Sequence, residues 1–188
     1  MTIDRFSFQR ECALKYEGTV LNVGCNEDPA SLGTMPNVVN CDNWDHNPTT
    51  MAKYPVDNVF DCTEDVWPFE DDSVDLVIFG DIIEHFYPEE LARALKEARR
   101  VARNVCATLP YDERIFDDGY FEAIKELPKG AVHVFAYKEQ HLRDIFRDAG
   151  FSINRFDVVD YGFVPMGYFL EASRSVVKSK PKPRPKKS

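Results

Sequence analysis

Short apolar runs alternate with amphipathic helical patterns through most of this 188-residue chain, and that alternation narrows the fold more than any other feature. Val20-Leu21-Asn22-Val23-Gly24 reads as a short buried strand ending at glycine, and Val38-Val39-Asn40-Cys41-Asp42 as a second ending at an acid. Val56 to Asp61 gives a weaker third strand. Val74-Asp75-Leu76-Val77-Ile78-Phe79-Gly80 is a nearly continuous apolar run bounded by turn residues, the pattern of a strand buried on both faces. Val105 to Leu109 follows, stopped by Pro110, and Phe151 to Val159 and Tyr168 to Ser173 close the series. Residues 1–18 suggest a helical lead-in. Pro88 to Arg103 predicts a helix, with proline in the first turn, Glu89 and Glu90 at its start and Arg99, Arg100 and Arg103 at its end. Lys138 to Ala149 predicts another, stopped by Gly150.

Strands separated by helices imply an α/β fold with a Rossmann-like open sheet of about seven strands, mostly parallel, with helices on both faces. The last two strands have no helix between them, so an antiparallel C-terminal hairpin is expected. The length suits one domain, taken as residues 1–177, with 178–188 (KSKPKPRPKKS) as a disordered basic Pro/Lys-rich tail.

Charge and cysteine usage limit the function classes. Six of the 23 basic side chains lie in that tail, which leaves residues 1–177 with 17 basic against 32 acidic side chains. So acidic a body repels phosphates, and nucleic acid is not an expected partner. No apolar run approaches the ~20 residues that span a bilayer, and Met1 to Arg10 has no apolar signal core, so neither membrane insertion nor a secretory signal is expected. The five cysteines, Cys12, Cys25, Cys41, Cys62 and Cys106, are scattered, which favours free thiols in a cytoplasmic setting.

Ligands of open α/β sheets bind beyond the carboxyl ends of the strands. There the sequence offers Gly24-Cys25-Asn26-Glu27-Asp28-Pro29, Asp42-Asn43-Trp44, Asp61-Cys62-Thr63 and Asp81-Ile82-Ile83-Glu84-His85. Together VLNVGCNEDP, VVNCD, FDCTEDVWPFEDDSVDLVIFGDIIEHF and AYKEQHLRDIFRDAGF resemble the class I SAM-dependent methyltransferases, and within them the methyltransferase type 11 branch. The resemblance runs over roughly residues 18–173 and is most specific from Asp61 through Phe86.

It implies S-adenosyl-L-methionine (SAM) as cofactor and a set of binding residues: Gly24, Cys25, Asn26, Asp42, Asn43, Asp61, Cys62 and Asp81. Gly24 would let the backbone approach the methionine part. Asp42 would accept hydrogen bonds from the ribose hydroxyls, a task that needs a short carboxylate. Asp61 and Cys62 would contact the adenine edge, and Asp81 would line the pocket near the methionine group. Each has a plainer reading beside it: Asp42 as a cap after a strand, Asp61 as a turn former. The loop departs from the family's glycine-any-glycine, with Asn26 at the second glycine and Glu27 and Asp28 after it.

His85 is the candidate catalytic residue. An imidazole at the mouth of the pocket could take a proton from an acceptor hydroxyl, or it could simply pack the next helix. A metal site from Asp57, Asp61, Glu64 and Asp65 is set aside for its irregular spacing, and no metal ligands are assigned. Cys25 and Cys62 lack an evident base and read as inert thiols.

The expected reaction is methyl transfer from SAM to an oxygen or nitrogen of a small-molecule acceptor or a glycan end. A non-catalytic SAM- or nucleotide-binding module of the same fold is the alternative, motivated by the Asn26-Glu27-Asp28-Pro29 loop. A nucleic-acid methyltransferase is motivated only by the basic tail. The fourth strand ends in Gly80-Asp81-Ile82-Ile83, not in the Asn/Asp-Pro-Pro-aromatic tetrapeptide of that class.

Overall fold

A computed structural model describes residues 4–25, 32–43, 56–64, 66–125, 132–162 and 166–175. The apolar runs become seven strands: β1 (Val20–Val23), β2 (Val38–Asp42), β3 (Asn58–Val59), β4 (Val74–Gly80), β5 (Ala102–Pro110), β6 (Phe151–Val159) and β7 (Gly167–Arg174). They form one sheet in the order β3-β2-β1-β4-β5-β7-β6. Strands β1 to β5 are mutually parallel, while β7 runs antiparallel to both β5 and β6. The α/β sheet and its antiparallel C-terminal hairpin match the expectation from sequence.

Side-chain alternation in the central strands sends their residues to two separate cores. On one face Leu21, Val23, Val77 and Phe79 pack with Leu91 and Leu95 of α2 (Pro88–Val101) and with Leu142 and Phe146 of α4 (Glu139–Asp148). On the other, Val20, Leu76, Ile78 and Cys106 meet Phe8, Cys12 and Ala13 of α1 (Arg5–Ala13). Because both faces are covered, β1 is buried along its whole length, which is why its sequence is a run and not an alternation. A five-residue α3 (Tyr120–Ile124) lies between β5 and α4.

The local signals act as the residue types dictate. Asp4 caps α1, its carboxylate accepting from the Phe6 and Ser7 N–H groups at 3.0 Å each. Helix α2 begins at Pro88, and the Glu90 carboxylate reaches back to the Tyr87 N–H at 2.9 Å. Its apolar face is Leu91, Ala94, Leu95, Ala98 and Val101, all buried. Gly150, at φ +86°, ends α4 in the left-handed region.

The fifth strand is longer than expected at both ends, and the third strand and the end of the second helix also differ from the expectation. The third strand shrinks from Val56–Asp61 to Asn58–Val59; at its start the Asp57 carboxylate takes the Asn40 N–H at 2.8 Å in place of a backbone carbonyl. The second helix stops at Val101, two residues early. Ala102 is already extended and pairs with Val74, so helix runs directly into strand. The basic tail 178–188 and Asn26 lie outside the described residues. Among the described residues no helix is long and apolar enough to cross a membrane.

Candidate functional site

Register gathers the proposed binding residues on one edge. Val23 pairs with Cys41 on one side and with Phe79 on the other, and Asp42 pairs with Val59. Gly24, Asp42 and Asp81 therefore stand at the carboxyl ends of three adjacent strands, with Asp61 two residues beyond the fourth. The sheet is built outward in opposite directions from β1 and β4, so this edge holds the topological switch point, where open α/β sheets bind ligands.

At its centre the chain leaves β1 in a tight turn. Gly24 has φ +70°, and the N–H groups of Gly24 and Cys25 both donate to the Cys41 carbonyl, at 2.9 and 3.1 Å. A Cβ on Gly24 would lie 2.2 Å from the Ile82 Cδ1 atom. The Asp42 carboxylate accepts from the Asn43 N–H at 2.8 Å and from the Cys25 thiol at 3.9 Å. Asp61 accepts the Thr63 N–H at 2.8 Å and the Thr63 hydroxyl at 2.6 Å, the turn-forming role weighed for it from sequence. The Cys62 side chain is buried in the apolar core, where desolvation drives its thiol pKa far up, while its carbonyl accepts the Trp67 indole N–H at 3.1 Å. Any contact of Cys62 with a ligand would be through its backbone.

Asp81 is held from several sides. It sits at φ +56°, tolerated best by Asp and Asn among non-glycine residues. Its carboxylate accepts from the Thr108 hydroxyl at 3.0 Å and from the Tyr161 hydroxyl, and pairs with the Arg5 Nε at 2.7 Å. Gln9 of α1 donates to the same Thr108 hydroxyl at 2.6 Å. Burial raises the Asp81 pKa, against the Tyr161 hydrogen bond and the Arg5 charge, which favour the anion. The N-terminal helix is thus pinned to the switch point through a carboxylate. Sequence reading missed this link, since nothing in the spacing ties residues 5 and 9 to 81 and 108.

Beyond Asp81, a short 3-10 turn at Ile83–His85 is clamped to the segment that precedes α4. The Glu84 carbonyl accepts from the Val134 and Phe135 N–H groups, at 2.8 and 3.3 Å. His85 Nδ1 lies 2.7 Å from the Val132 carbonyl, and the Tyr120 hydroxyl donates to the His133 carbonyl at 2.9 Å. His133 Nδ1 is 2.7 Å from Asp112 Oδ2, and the two histidine rings meet edge-on at 5.1 Å between centroids. Asp112 is itself gripped by the Arg114 guanidinium, at 2.8 and 2.6 Å. Those bonds, Arg114's foremost, hold its carboxyl at about 2.

A carbonyl and a carboxylate can only accept, so both histidines carry a proton on Nδ1, and the neutral form of each has its lone pair on Nε2. Burial lowers the His85 pKa, with the Val132 carbonyl acting in the opposite sense. Glu84 is 2% exposed, and its Oε2 has no hydrogen-bond partner among the described residues. Burial, reinforced by the Asp81 charge, pushes this carboxyl well above the usual range. Sequence analysis placed His85 at the pocket mouth but missed its grouping with Glu84, His133 and Asp112, which sit on three separate segments. The one available signal was position: Asp112 comes two residues after the end of β5.

Comparison with known proteins agrees with the topology. Residues 21–105 match the family model described as a methyltransferase domain. No curated protein matches the chain. Among solved structures, a SAM-dependent methyltransferase of Methanosarcina mazei superposes with a TM-score of 0.60 at 17% identity, covering 88% of this chain and 97% of that one. A chain from the Haloferax volcanii complex of the Trm112 methyltransferase activator with a methyltransferase gives 0.64 at 16% identity, covering 94% and 92%. The magnesium protoporphyrin IX methyltransferase of Synechocystis with bound SAH gives 0.60 at 20% identity, covering 89% and 80%. At these identities the likeness is one of fold.

Proposed function

We propose that the chain, whose residues 21–105 match a methyltransferase-domain family model, is a class I SAM-dependent methyltransferase that transfers the methyl group of SAM to an oxygen or nitrogen of a small molecule or glycan end. The observation that carries this reading is the alignment of Gly24, Asp42 and Asp81 on adjacent strand ends at the switch point. The donor set fits the cofactor. A glycine turn permits close backbone approach, a carboxylate ending β2 suits two ribose hydroxyls, and an acidic edge suits a sulfonium and an ammonium. When bound, SAM supplies a methyl group on a positively charged sulfur, already a good leaving group.

The protein's part is therefore mainly positioning and exclusion of water. Gly24 and Cys25 shape the floor, Asp42 and Asn43 hold the nucleoside side, and Asp81 with α1 closes the methionine side. Asn26, Asp61 and Cys62 complete the proposed set, Cys62 through its backbone. His85, with its lone pair on Nε2, is the proposed proton acceptor for an acceptor hydroxyl; a free amine would need none. The small size of the acceptor is supported by the stretch after β5. Among the described residues it contributes only a 3-10 turn at Glu113–Phe116 and the five-residue α3. Residues 1–177 are proposed to act as one domain.

Calorimetric titration of SAM and of SAH tests the reading, with Asp42→Ala alongside. Wild-type binding weakened in Asp42→Ala by ~1.5–3 kcal/mol, about 10- to 150-fold, is expected. No binding by folded wild-type protein would overturn it in favour of a module that keeps the fold without the cofactor.

A further inference from the structure

We propose that Glu84, His85 and His133 form a divalent transition-metal site, with the Val132 carbonyl and the Asp112 carboxylate holding the two imidazoles in their ligating tautomer. One ligating atom from each of the three residues lies within 4.8 Å of the others. His133 Nε2 and Glu84 Oε1 are 3.9 Å apart, too far for a hydrogen bond between them. With metal–ligand bonds of about 2.0–2.2 Å, an ion would draw such atoms together by roughly an ångström.

Three features separate this cluster from a chance meeting of polar side chains. Glu84 is almost wholly buried, yet its Oε2 is without a hydrogen-bond partner among the described residues. An orphaned buried carboxylate oxygen is costly, and a cation beside it removes the cost. Both histidines spend Nδ1 on an acceptor, at 2.7 Å in each case, leaving Nε2 as the ligating atom. A carboxylate or backbone carbonyl behind the ligating imidazole is the usual outer support of a metal-bound histidine. Finally, the two segments are tied together by backbone bonds from Val134 and Phe135 to Glu84, so the site is already assembled.

Two imidazoles and one carboxylate suit a borderline ion such as zinc, cobalt or iron(II) better than magnesium or calcium, which favour all-oxygen shells. Three protein ligands also leave at least one position open, as in reactive and not purely structural sites. That position would take an oxygen of the acceptor, which would favour a hydroxyl over an amine as the methylated group; with the ion bound, His85 serves as a ligand and the ion, in place of the imidazole, eases loss of the hydroxyl proton. This last step rests on the methyl-transfer reading; metal binding does not.

The test uses the full-length chain after dialysis against EDTA, with neither SAM nor acceptor present, so its result is independent of the cofactor titration. Calorimetry with ZnCl₂ should show one ion per chain at a Kd of about a micromolar or tighter, and MgCl₂ at least ~100-fold weaker binding. CoCl₂ should give a visible absorption band without the near-ultraviolet band of thiolate ligation. His85→Ala and His133→Ala should each lose at least ~100-fold in zinc affinity, and Asp112→Asn about 10–100-fold. Circular dichroism reports whether each variant is folded. For any that is not, the wild-type Tm, which zinc should raise, decides in its place. Absence of uptake by folded wild-type protein, thiolate ligation of cobalt, an unmoved Tm, or unchanged affinity in both folded histidine variants would each overturn the proposal.

Discussion

Gly24 and Asp42 stand side by side where β1 and β2 end, joined by the Gly24 N–H that donates to the carbonyl of Cys41 at 2.9 Å. The turn that makes this pairing has φ +70° at Gly24, and Ile82 fills the space where a side chain would point. Gly24→Ala therefore meets two penalties, a left-handed backbone and a clash. It should cost about 1–3 kcal/mol in urea unfolding and weaken SAM binding as well. Ile82→Ala in the same chain removes the clash but not the backbone penalty. Partial recovery of the urea midpoint is expected, and full recovery would show that the backbone conformation costs nothing here.

The Thr108 hydroxyl links α1 to the site by accepting from Gln9 and donating to Asp81. Thr108→Val keeps the shape and removes both bonds. The Gln9 amide, 5% exposed, is then left without its partner. A loss of about 1–3 kcal/mol is expected at neutral pH. Hydrogen exchange should show the α1 amides less protected in the variant than in wild type. Equal protection would mean that α1 is held by its apolar contacts alone.

Much of this architecture is legible in the sequence because burial writes itself into composition. β4 is readable since Leu76 and Ile78 face one core and Val77 and Phe79 the other, giving an unbroken apolar run. Gly24, Asp42 and Asp81 are readable because strand ends set their places. The third strand is misread at its start, where a side chain, Asp57, takes the place of a backbone partner, and periodicity carries no sign of that. The histidine cluster is illegible for another reason. His85 and Glu84 are adjacent, but His133 and Asp112 reach them through loop closure, which no local pattern encodes.

Arg100 ties α2 to the loop before β4, its guanidinium donating to the carbonyls of Trp67 and Phe69 at 2.9 and 2.8 Å and to Glu97 at 2.8 Å. Burial acts to raise the Glu97 pKa, but the Arg100 hydrogen bonds, the Trp67 N–H and the Arg100 charge outweigh it and leave the carboxyl below its usual 4.5. A depressed folded pKa gives stability that is fully present above the unfolded value and is lost as pH falls through the folded one. Glu97→Gln should accordingly be less stable than wild type at pH 7, by no more than about 1 kcal/mol since the pair is partly exposed. The gap should close under acid conditions. Urea midpoints at pH 7 and pH 3 test this, and a gap that widens at pH 3 would reverse the assignment.

The five cysteines are all buried, in two cores and at the site, and none forms a disulfide among the described residues. Desolvation pushes the thiols of Cys41, Cys62 and Cys106 far above their usual range, so thiolate is scarce at neutral pH. A disulfide reagent should therefore label these three at the rate of unfolding, not at the rate of a free thiol. Cys25 is different. It is 6% exposed, lies on the glycine turn and donates to Asp42, so opening of that turn alone would bare it. One thiol should react ahead of the rest, vanish in Cys25→Ser, and slow when SAM is added, while all five react in denaturant. Fast labelling that persists in Cys25→Ser would place the reactive thiol elsewhere, and labelling of Cys25 unaffected by SAM at saturating concentration would separate the turn from the cofactor.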